Sequence, residues 1–427
     1  MNFTKYKLKD ICVKITDGSH YSPEACESGY PMFSVKDMGD YNFIYDDVKY
    51  ISKSDFSLML ANDCVPQKDD VLIAKDGSYL TRVFVCEETK NEAILSSIAI
   101  FRCNKEIVNP KFLAYLFKTP YVKNYTTKSC VSGSALPRIV LKAFSQLELF
   151  IPSLEEQKKI VSILSPLDRK ISLNRSINAE LERMAKEVYD YWFVQFDFPD
   201  EHGRPYKSSG GAMVYNPVLK REVPEGWEVK SFADFVSKQN GDWGEENPTA
   251  TNDIEVLCAR GADIVQMEDL PHRYISKSHL DRLMKKGDIM VEISGGSPVQ
   301  ATGRYSYISE ALLSRLGQKL VCSNFCQVVR VQDYEMSSYL YMTWDLLYKN
   351  DNMFKFEGKT SGIKNFQIDS FLQTKWSIPP HNLISKYQVL FDNLLSKKEA
   401  LKKEIELLKS QRDELLPLLM TGQVEVI

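Results

Sequence analysis

Residues able to seat a phosphate or reach a base edge cluster at turns in this chain, and they fall into two sets. In the first half they are Thr16, Gly18, Ser19 and His20 of TDGSH, Lys75, Gly77, Ser78 and Arg82 of KDGSYLTR, and Ser132, Ser134 and Arg138 of VSGSALPR. The second half has Asn240 and Trp243 in QNGDW, Ser294, Gly296, Gln300 and Arg304 in ISGGSPVQATGR, and Lys359, Ser361, Lys364 and Asn365 in GKTSGIKN. Glycine amides beside a cation can cradle a phosphate, while Arg, Lys, Asn, Gln and Ser carry the donors and acceptors that read bases. Any one of these stretches, taken alone, reads as a solvated turn between strands. Their recurrence at matched positions in both halves points to a shared task, contact with DNA.

Catalysis needs other constellations. An adenine methyltransferase would carry an Asn/Asp-Pro-Pro-Phe/Tyr loop for the flipped base and a Gly-rich turn for its methyl donor. The sequence has neither; NPKF at 109–112 echoes the loop but opens a helix pattern. Metal-dependent nuclease chemistry needs clustered carboxylates with a lysine. Asp69, Asp70 and Lys75 have the residue types but the wrong spacing, and Asp70 reads as closing a turn before the strand VLIA. The histidines, His20, His202, His272, His279 and His381, form no pair at ligand spacing. Nine cysteines without a Cys-x-x-Cys pair read as reduced core thiols, and Cys322 and Cys326 lack a neighbouring histidine for zinc. The chain is therefore expected to be non-catalytic, with no metal of its own.

At 427 residues, 44% apolar and 26% charged, the chain has ordinary globular composition and room for two or three domains. It has no apolar run long enough to span a membrane and no apolar signal stretch at its start, so the expected location is cytoplasmic. A net charge of −3 does not advertise a nucleic-acid binder, although an average can conceal a basic face. A scaffold or adaptor that binds protein and not DNA is the alternative this charge favours.

Positioning the turns falls to a duplicated plan. WEVKSFADFVSKQNGD matches YKLKDICVKITDG, KKGDIMVEISGG matches QKDDVLIAKDGS, and KLVCSNFCQVVRV matches EAILSSIAIFRCN. SSYLYMTWDLLYKN and NPKFLAYLFKTPYV, read as helices, correspond in turn. Each half ends in an Ile-Pro strand followed by a long apolar stripe. The first, from Ile151 to Phe196, runs through Ile160, Leu164, Leu167, Ile171, Ile177, Leu181, Met184 and Val188, with Asn174 interrupting it. Its start carries Ser153 followed by Glu156, a capping box. About 40 residues at ~1.5 Å each make a rod of roughly 60 Å, which calls for a partner helix. Only Ser385 to Leu416 qualifies, so these stripes are expected to bury against each other. Tyr189, Tyr191, Trp192, Phe193, Phe196 and Phe198 exceed what one stripe can bury and suggest a contact with another protein. The fold class is α+β: two mostly-β recognition domains, 1–150 and 227–378, joined by two long antiparallel coiled-coil helices in an internal pseudo-two-fold repeat. The helices lie at 151–196 and 379–427, with a linker at 197–226.

This duplication, the IPSLEEQKKIVSIL start of the first rod, the linker YWFVQFDFPDEHGRPYKSSGGAMVYNPVLKREVPEGWEVK and the ending DELLPLLMTGQVEV resemble the specificity subunits of type I restriction-modification systems. The resemblance covers essentially the whole chain and is strongest at 151–232 and 378–427. It implies that each recognition domain reads one half of a bipartite, asymmetric site on double-stranded DNA, that the helices set the gap, and that the chain docks two modification (adenine methyltransferase) subunits. Restriction (translocase-nuclease) subunits would join for cleavage. S-adenosylmethionine, ATP and Mg are implied only in those partners. The second rod begins IPPHNLISKYQVL, without the Glu-Glu-Gln of the first, so the two docking ends need not be equivalent.

Overall fold

A computed structural model describes residues 2–76, 82–129, 131–132, 138–295, 300–350, 353–358 and 364–424. Packing divides the chain into two compact units, one of Met1–Leu173 with Ile405–Ile427, the other Asn174–Glu404. Each unit thus takes its own stretch of both long helices, whereas the boundaries read from sequence follow changes of element type.

The first unit opens with strand Thr4–Lys7, paired antiparallel with Glu148–Ile151, and a single turn of helix, Leu8–Ile11. Its main sheet runs Cys12–Asp17, Ile98–Cys103, Asp70–Ala74, Val83–Val85, all antiparallel. Every residue of Asp70–Ala74 is buried, which is why this strand is a continuous apolar run with no alternation. A second sheet orders Lys49–Ile51, Tyr30–Phe33, Ala93–Ile94, the last pair parallel.

The second unit repeats this plan strand for strand. Its main sheet is Val236–Asn240, Cys326–Val331, Ile289–Glu292, Tyr305–Tyr307, and its second is His272–Ser276, Asn252–Ala259, Leu320–Cys322, again with a parallel last pair. Even the buried acid is kept. Arg102 forks onto Asp70 with both bonds at 2.9 Å, and Arg330 forks onto Asp288 at 3.1 and 2.9 Å. Asp70 also accepts from the amide of Gln67 at 2.8 Å and Asp288 from that of Lys285 at 2.7 Å, so both acids close the turn before their strand. This assigns Asp70 to structure; a metal-binding trio with Asp69 and Lys75 does not form.

Asn109 caps the helix Pro110–Lys118 through its side-chain oxygen, placing NPKF at a helix start. Pro120 then begins a separate helix, Pro120–Ser129, because proline has no amide to continue the first; Ser337–Lys349 runs unbroken at the equivalent place.

The central helix spans Leu154–Tyr189 and opens with the expected capping box, Glu156 N donating to Ser153 Oγ at 3.3 Å and Ser153 N to Glu156 Oε2 at 3.1 Å. The C-terminal helix spans His381–Met420. In the first unit Ile160 and Leu164 share a core with Leu416, Leu419 and Met420. In the second, Asn174 meets Glu404, Glu182 meets Lys398, and the carbonyl of Ala185 accepts from Tyr387 Oη at 2.9 Å. Partner numbers fall as the central helix ascends, so the helices run antiparallel.

The buried stripe differs from the apolar one. Ile160, Leu164, Ile171 and Leu181 are buried as expected, and Leu167 and Val188 are half-buried. Ile177 and Met184, however, are 39% and 43% exposed, while Asp168, Asn174, Asn178 and Ala185 take the inward positions. Asp168 can lie inward because partners meet it, and Asn174 is met through its amino group, whereas the side-chain oxygens of Asn174 and Asn178 are buried without a hydrogen-bond partner among the described residues. Asp168 accepts from Tyr41 Oη at 2.8 Å, Tyr115 Oη at 2.7 Å and Arg412 at 3.0 Å.

Two further expectations are corrected. Tyr189, Phe193 and Phe196 are buried within the second unit against Trp227, Tyr339 and Tyr387, so these three rings are core, while Trp192 and Phe198 are half-buried and Tyr191 stays 40% exposed. Cys26 is exposed, unlike the buried Cys64, Cys86, Cys103, Cys258, Cys322 and Cys326.

Candidate nucleic-acid interface

In the first unit the three candidate loops meet at one end of the main sheet. Gly18 continues strand Cys12–Asp17 and lies so close to the chain at Ile94 that an added Cβ would sit 2.3 Å from its carbonyl oxygen; here glycine is required by packing. Ser19 N donates to the same carbonyl at 2.8 Å and Ser96 N returns a bond to Ser19 O at 2.8 Å. Lys75 N donates to Ser97 O at 2.8 Å, and Ile139 N to Lys75 O at 2.9 Å, which brings in Arg138. One turn, Leu95 to Ile98, therefore ties together the loops carrying Thr16 to His20, Lys75 and Arg138.

The second unit builds the same junction with different side chains. An added Cβ on Gly241 would fall 2.0 Å from Ser323 O, as that of Gly18 would at Ile94. Ile293 N donates to Phe325 O and Phe366 N to Ile293 O, both at 2.9 Å, reproducing the Lys75 bonds. Strand Ser294–Gly295 pairs with Lys364–Phe366, Ser294 opposite Asn365, where the first unit has the bridge Asp76 to Arg138. Ala74 N donates to Arg82 O at 3.0 Å and Glu292 N to Arg304 O at 2.8 Å, so these two arginines hold equivalent stations.

The charges of the loops are locally balanced. His20 Nε2 lies 3.4 Å from Asp17, whose other oxygen takes the ammonium of Lys75. Lys75 is only 3% exposed, so it braces this loop from inside and does not project to solvent. Arg138 Nε lies 3.1 Å from Asp76 Oδ1, poorly aligned for a hydrogen bond, and stays 46% exposed. Arg304 forks onto Glu292 at 2.8 and 2.6 Å, and that carboxylate together with burial, which opposes it, leaves the guanidinium pKa raised. Lys364 lies 2.7 Å from Glu357; burial favours the neutral acid, but Lys364 and the amide of Thr302 hold its pKa below the usual carboxylate range. This pairing of loop cations with acids lets a near-neutral chain carry cationic loops.

The remaining candidates divide by position. Thr16 is half-buried on its strand, and Ser19 turns inward to bond both the amide and the carbonyl of Tyr21 at 3.0 and 2.7 Å. Arg82 donates to the carbonyl of Met38. Asn240 accepts from Gln327 at 2.9 Å, and Trp243 lies under the Arg273 guanidinium, 4.1 Å from its ring centroid. Asn240, Gln300 and Asn365 are exposed. Gly77, Ser78, Ser134, Gly296, Lys359 and Ser361 lie outside the described residues, and Ser132 is described by its backbone alone, paired with Arg138.

Sequence reasoning passed over the joining turns, Leu95 to Ile98 and Ser323 to Cys326. The signal was partly available: the match of KLVCSNFCQVVRV to EAILSSIAIFRCN aligns the two turns but sets Ser323 and Asn324 opposite Ser96 and Ser97, and the strand pairing moves this by one residue, to Asn324 and Phe325. It also missed that the acids Asp17, Asp76, Glu292 and Glu357 pair with the loop cations Lys75, Arg138, Arg304 and Lys364. Among the described residues, no cluster of His, Cys, Asp or Glu could hold a metal, and no helix is long and apolar enough to cross a membrane.

A family model for the type I restriction modification DNA specificity domain matches residues 1–183. The type I restriction enzyme MjaIX specificity subunit of Methanocaldococcus jannaschii is 25% identical over 435 aligned positions, covering 98% of this chain and 93% of its own length. The HindI specificity subunit of Haemophilus influenzae is 35% identical over 136 residues, 31% of this chain and 29% of its own. The crystal structure of the type I restriction-modification S subunit from M. genitalium superposes with a TM-score of 0.56 at 16% identity, covering 98% and 96% of the two chains, and so shares the fold. Duplicated units, paired helices and relatives that span the chain agree: residues 1–183 match the type I restriction modification DNA specificity domain, and the chain is similar along its whole length to specificity subunits of type I restriction-modification systems.

Proposed function

We propose that this chain gives its complex DNA sequence specificity, each unit reading one half of a bipartite asymmetric site. The observation that carries this reading is the repeated junction with unlike tips. Arg138 in the first unit corresponds to Asn365 in the second, and Ser96 and Ser97 to Asn324 and Phe325, while the buried bracing Lys75 is replaced by Ile293. Keeping the scaffold while changing the donors and acceptors at its end is what reading two different half-sites demands. The paired helices set the gap and dock two adenine-methyltransferase subunits, with translocase-nuclease subunits joining for cleavage. The chain itself is non-catalytic and works in the cytoplasm, and S-adenosylmethionine, ATP and Mg act in the partners.

Selection from a library of randomised duplexes, using the chain assembled with its modification subunits, tests this. Two short fixed blocks separated by a constant, unread gap are expected. A single uninterrupted block, or no enrichment, would contradict it.

A further inference from the structure

The turn joining the loops of the second unit carries an aromatic ring that the fold does not use. Cys326 N closes the turn onto Ser323 O at 2.9 Å. Phe325 O accepts from Ile293 N at 2.9 Å and Ser294 N at 3.3 Å, and Asn324 Oδ1 from Trp243 N at 3.2 Å. The backbone is thus pinned to both neighbouring loops, yet the Phe325 side chain is 59% exposed, and among the described residues no other ring stacks on it. At the equivalent station Ser97 does structural work, its hydroxyl accepting from Val35 N at 3.0 Å. A phenylalanine held out on a rigid turn forgoes the stabilisation of burial.

Its surroundings indicate what would cover it. Asn240, Asn324 and Asn365 are exposed amides on the same end of the sheet; among the described residues each oxygen accepts one bond, from Gln327, Trp243 N and Ser294, which leaves its second lone pair and the amino donors for a ligand, while Arg304 and Lys364 are engaged by Glu292 and Glu357. Side-chain amides pair with the N6 and N7 edge of adenine in the major groove, and apolar groups contact the thymine methyl. An apolar ring among amides, with the neighbouring cations paired, suits an A·T pair better than a G·C pair, whose preferred reader is arginine.

We propose that Phe325 contacts the 5-methyl group of a thymine in the half-site read by the second unit. This rests on the DNA-reading function proposed above. The test uses the chain assembled with its modification subunits and duplexes of its own site, each thymine of either half-site replaced singly by deoxyuridine, which lacks only the methyl. One position should weaken binding by about three- to five-fold, the worth of one apolar methyl contact. With Phe325→Ala, thymine and deoxyuridine at that position should bind alike, and Phe325→Leu should restore part of the difference. No methyl-sensitive position, unchanged sensitivity in Phe325→Ala, or a site without thymine would overturn the proposal. So would loss of subunit assembly in Phe325→Ala with DNA preference intact, which would make the ring a protein contact. Loss of specific binding by the parent itself would instead overturn the DNA-reading function.

Discussion

Asn174 donates from Nδ2 to Glu404 Oε2 at 2.8 Å, a fully buried amide on the central helix meeting a carboxylate of the C-terminal helix. Among the described residues its own Oδ1 has no hydrogen-bond partner, so the pair is directional: donor on one helix, acceptor on the other. A polar residue at an inward helix position fixes register at some cost in stability. Asn174→Asp sets two carboxylates face to face and should destabilise by several kcal/mol, whereas Asn174→Leu should be tolerated within about 1 kcal/mol. Chemical denaturation of the two variants checks this; equal stability would remove the register role.

A second test separates the observed stripe from the apolar one. Leu181 is buried and Ile177 exposed. Leu181→Asp should cost about 3 kcal/mol or more and abolish subunit assembly, while Ile177→Asp should stay within about 0.5 kcal/mol. Thermal melts of both, with co-purification of partner subunits, give the readout.

Asp168 anchors Tyr41, Tyr115 and Arg412 within the first unit. Asp168→Ala leaves a largely buried guanidinium with Asp413 and the Tyr41 hydroxyl beside it, and should destabilise by about 3 kcal/mol. A double-mutant cycle with Arg412→Met should recover part of the loss.

Stability should also depend on pH through Asp63. Burial works to raise its pKa, but hydrogen bonds from Lys14 and Arg102 outweigh burial and set it below the ordinary 3.8. A depressed acid contributes fully above its unfolded pKa, and that contribution disappears as pH falls through the folded value. Asp63→Asn should therefore melt below the parent at pH 7, and the gap should shrink below about pH 4.

Asp76 restrains the charge of Arg138. Asp76→Asn should strengthen DNA binding several-fold at low salt and steepen the log–log salt dependence by about 1, one further phosphate neutralised; Arg138→Ala should do the reverse. Fluorescence anisotropy across a salt series measures both.

The duplicated plan, the capping box at Ser153 and Glu156 and the turn role of Asp70 were legible because they rest on local patterns. Two things were not. Inward Asp168 and Asn178 were hidden because hydropathy marks Ile177 and Met184 as the stripe, while Tyr41 and Arg412, which satisfy Asp168, come from distant segments. The aromatic run at 189–198 gave no hint that Trp227, Tyr339 and Tyr387 would cover it. For the candidate loops, matched position was visible, but the acids opposing Lys75, Arg138, Arg304 and Lys364 were not. Residue type alone could therefore not separate a bracing cation such as Lys75 from an exposed one such as Arg138.

Methylome sequencing of a host carrying the complete system, with the parent chain, Arg138→Ala and Asn365→Ala in turn, tests two-unit reading most directly. The parent should yield a motif of two blocks about a fixed gap. Arg138→Ala should relax one block only, and Asn365→Ala the other only. Both substitutions altering the same block, or each altering both, would contradict independent reading by the two units.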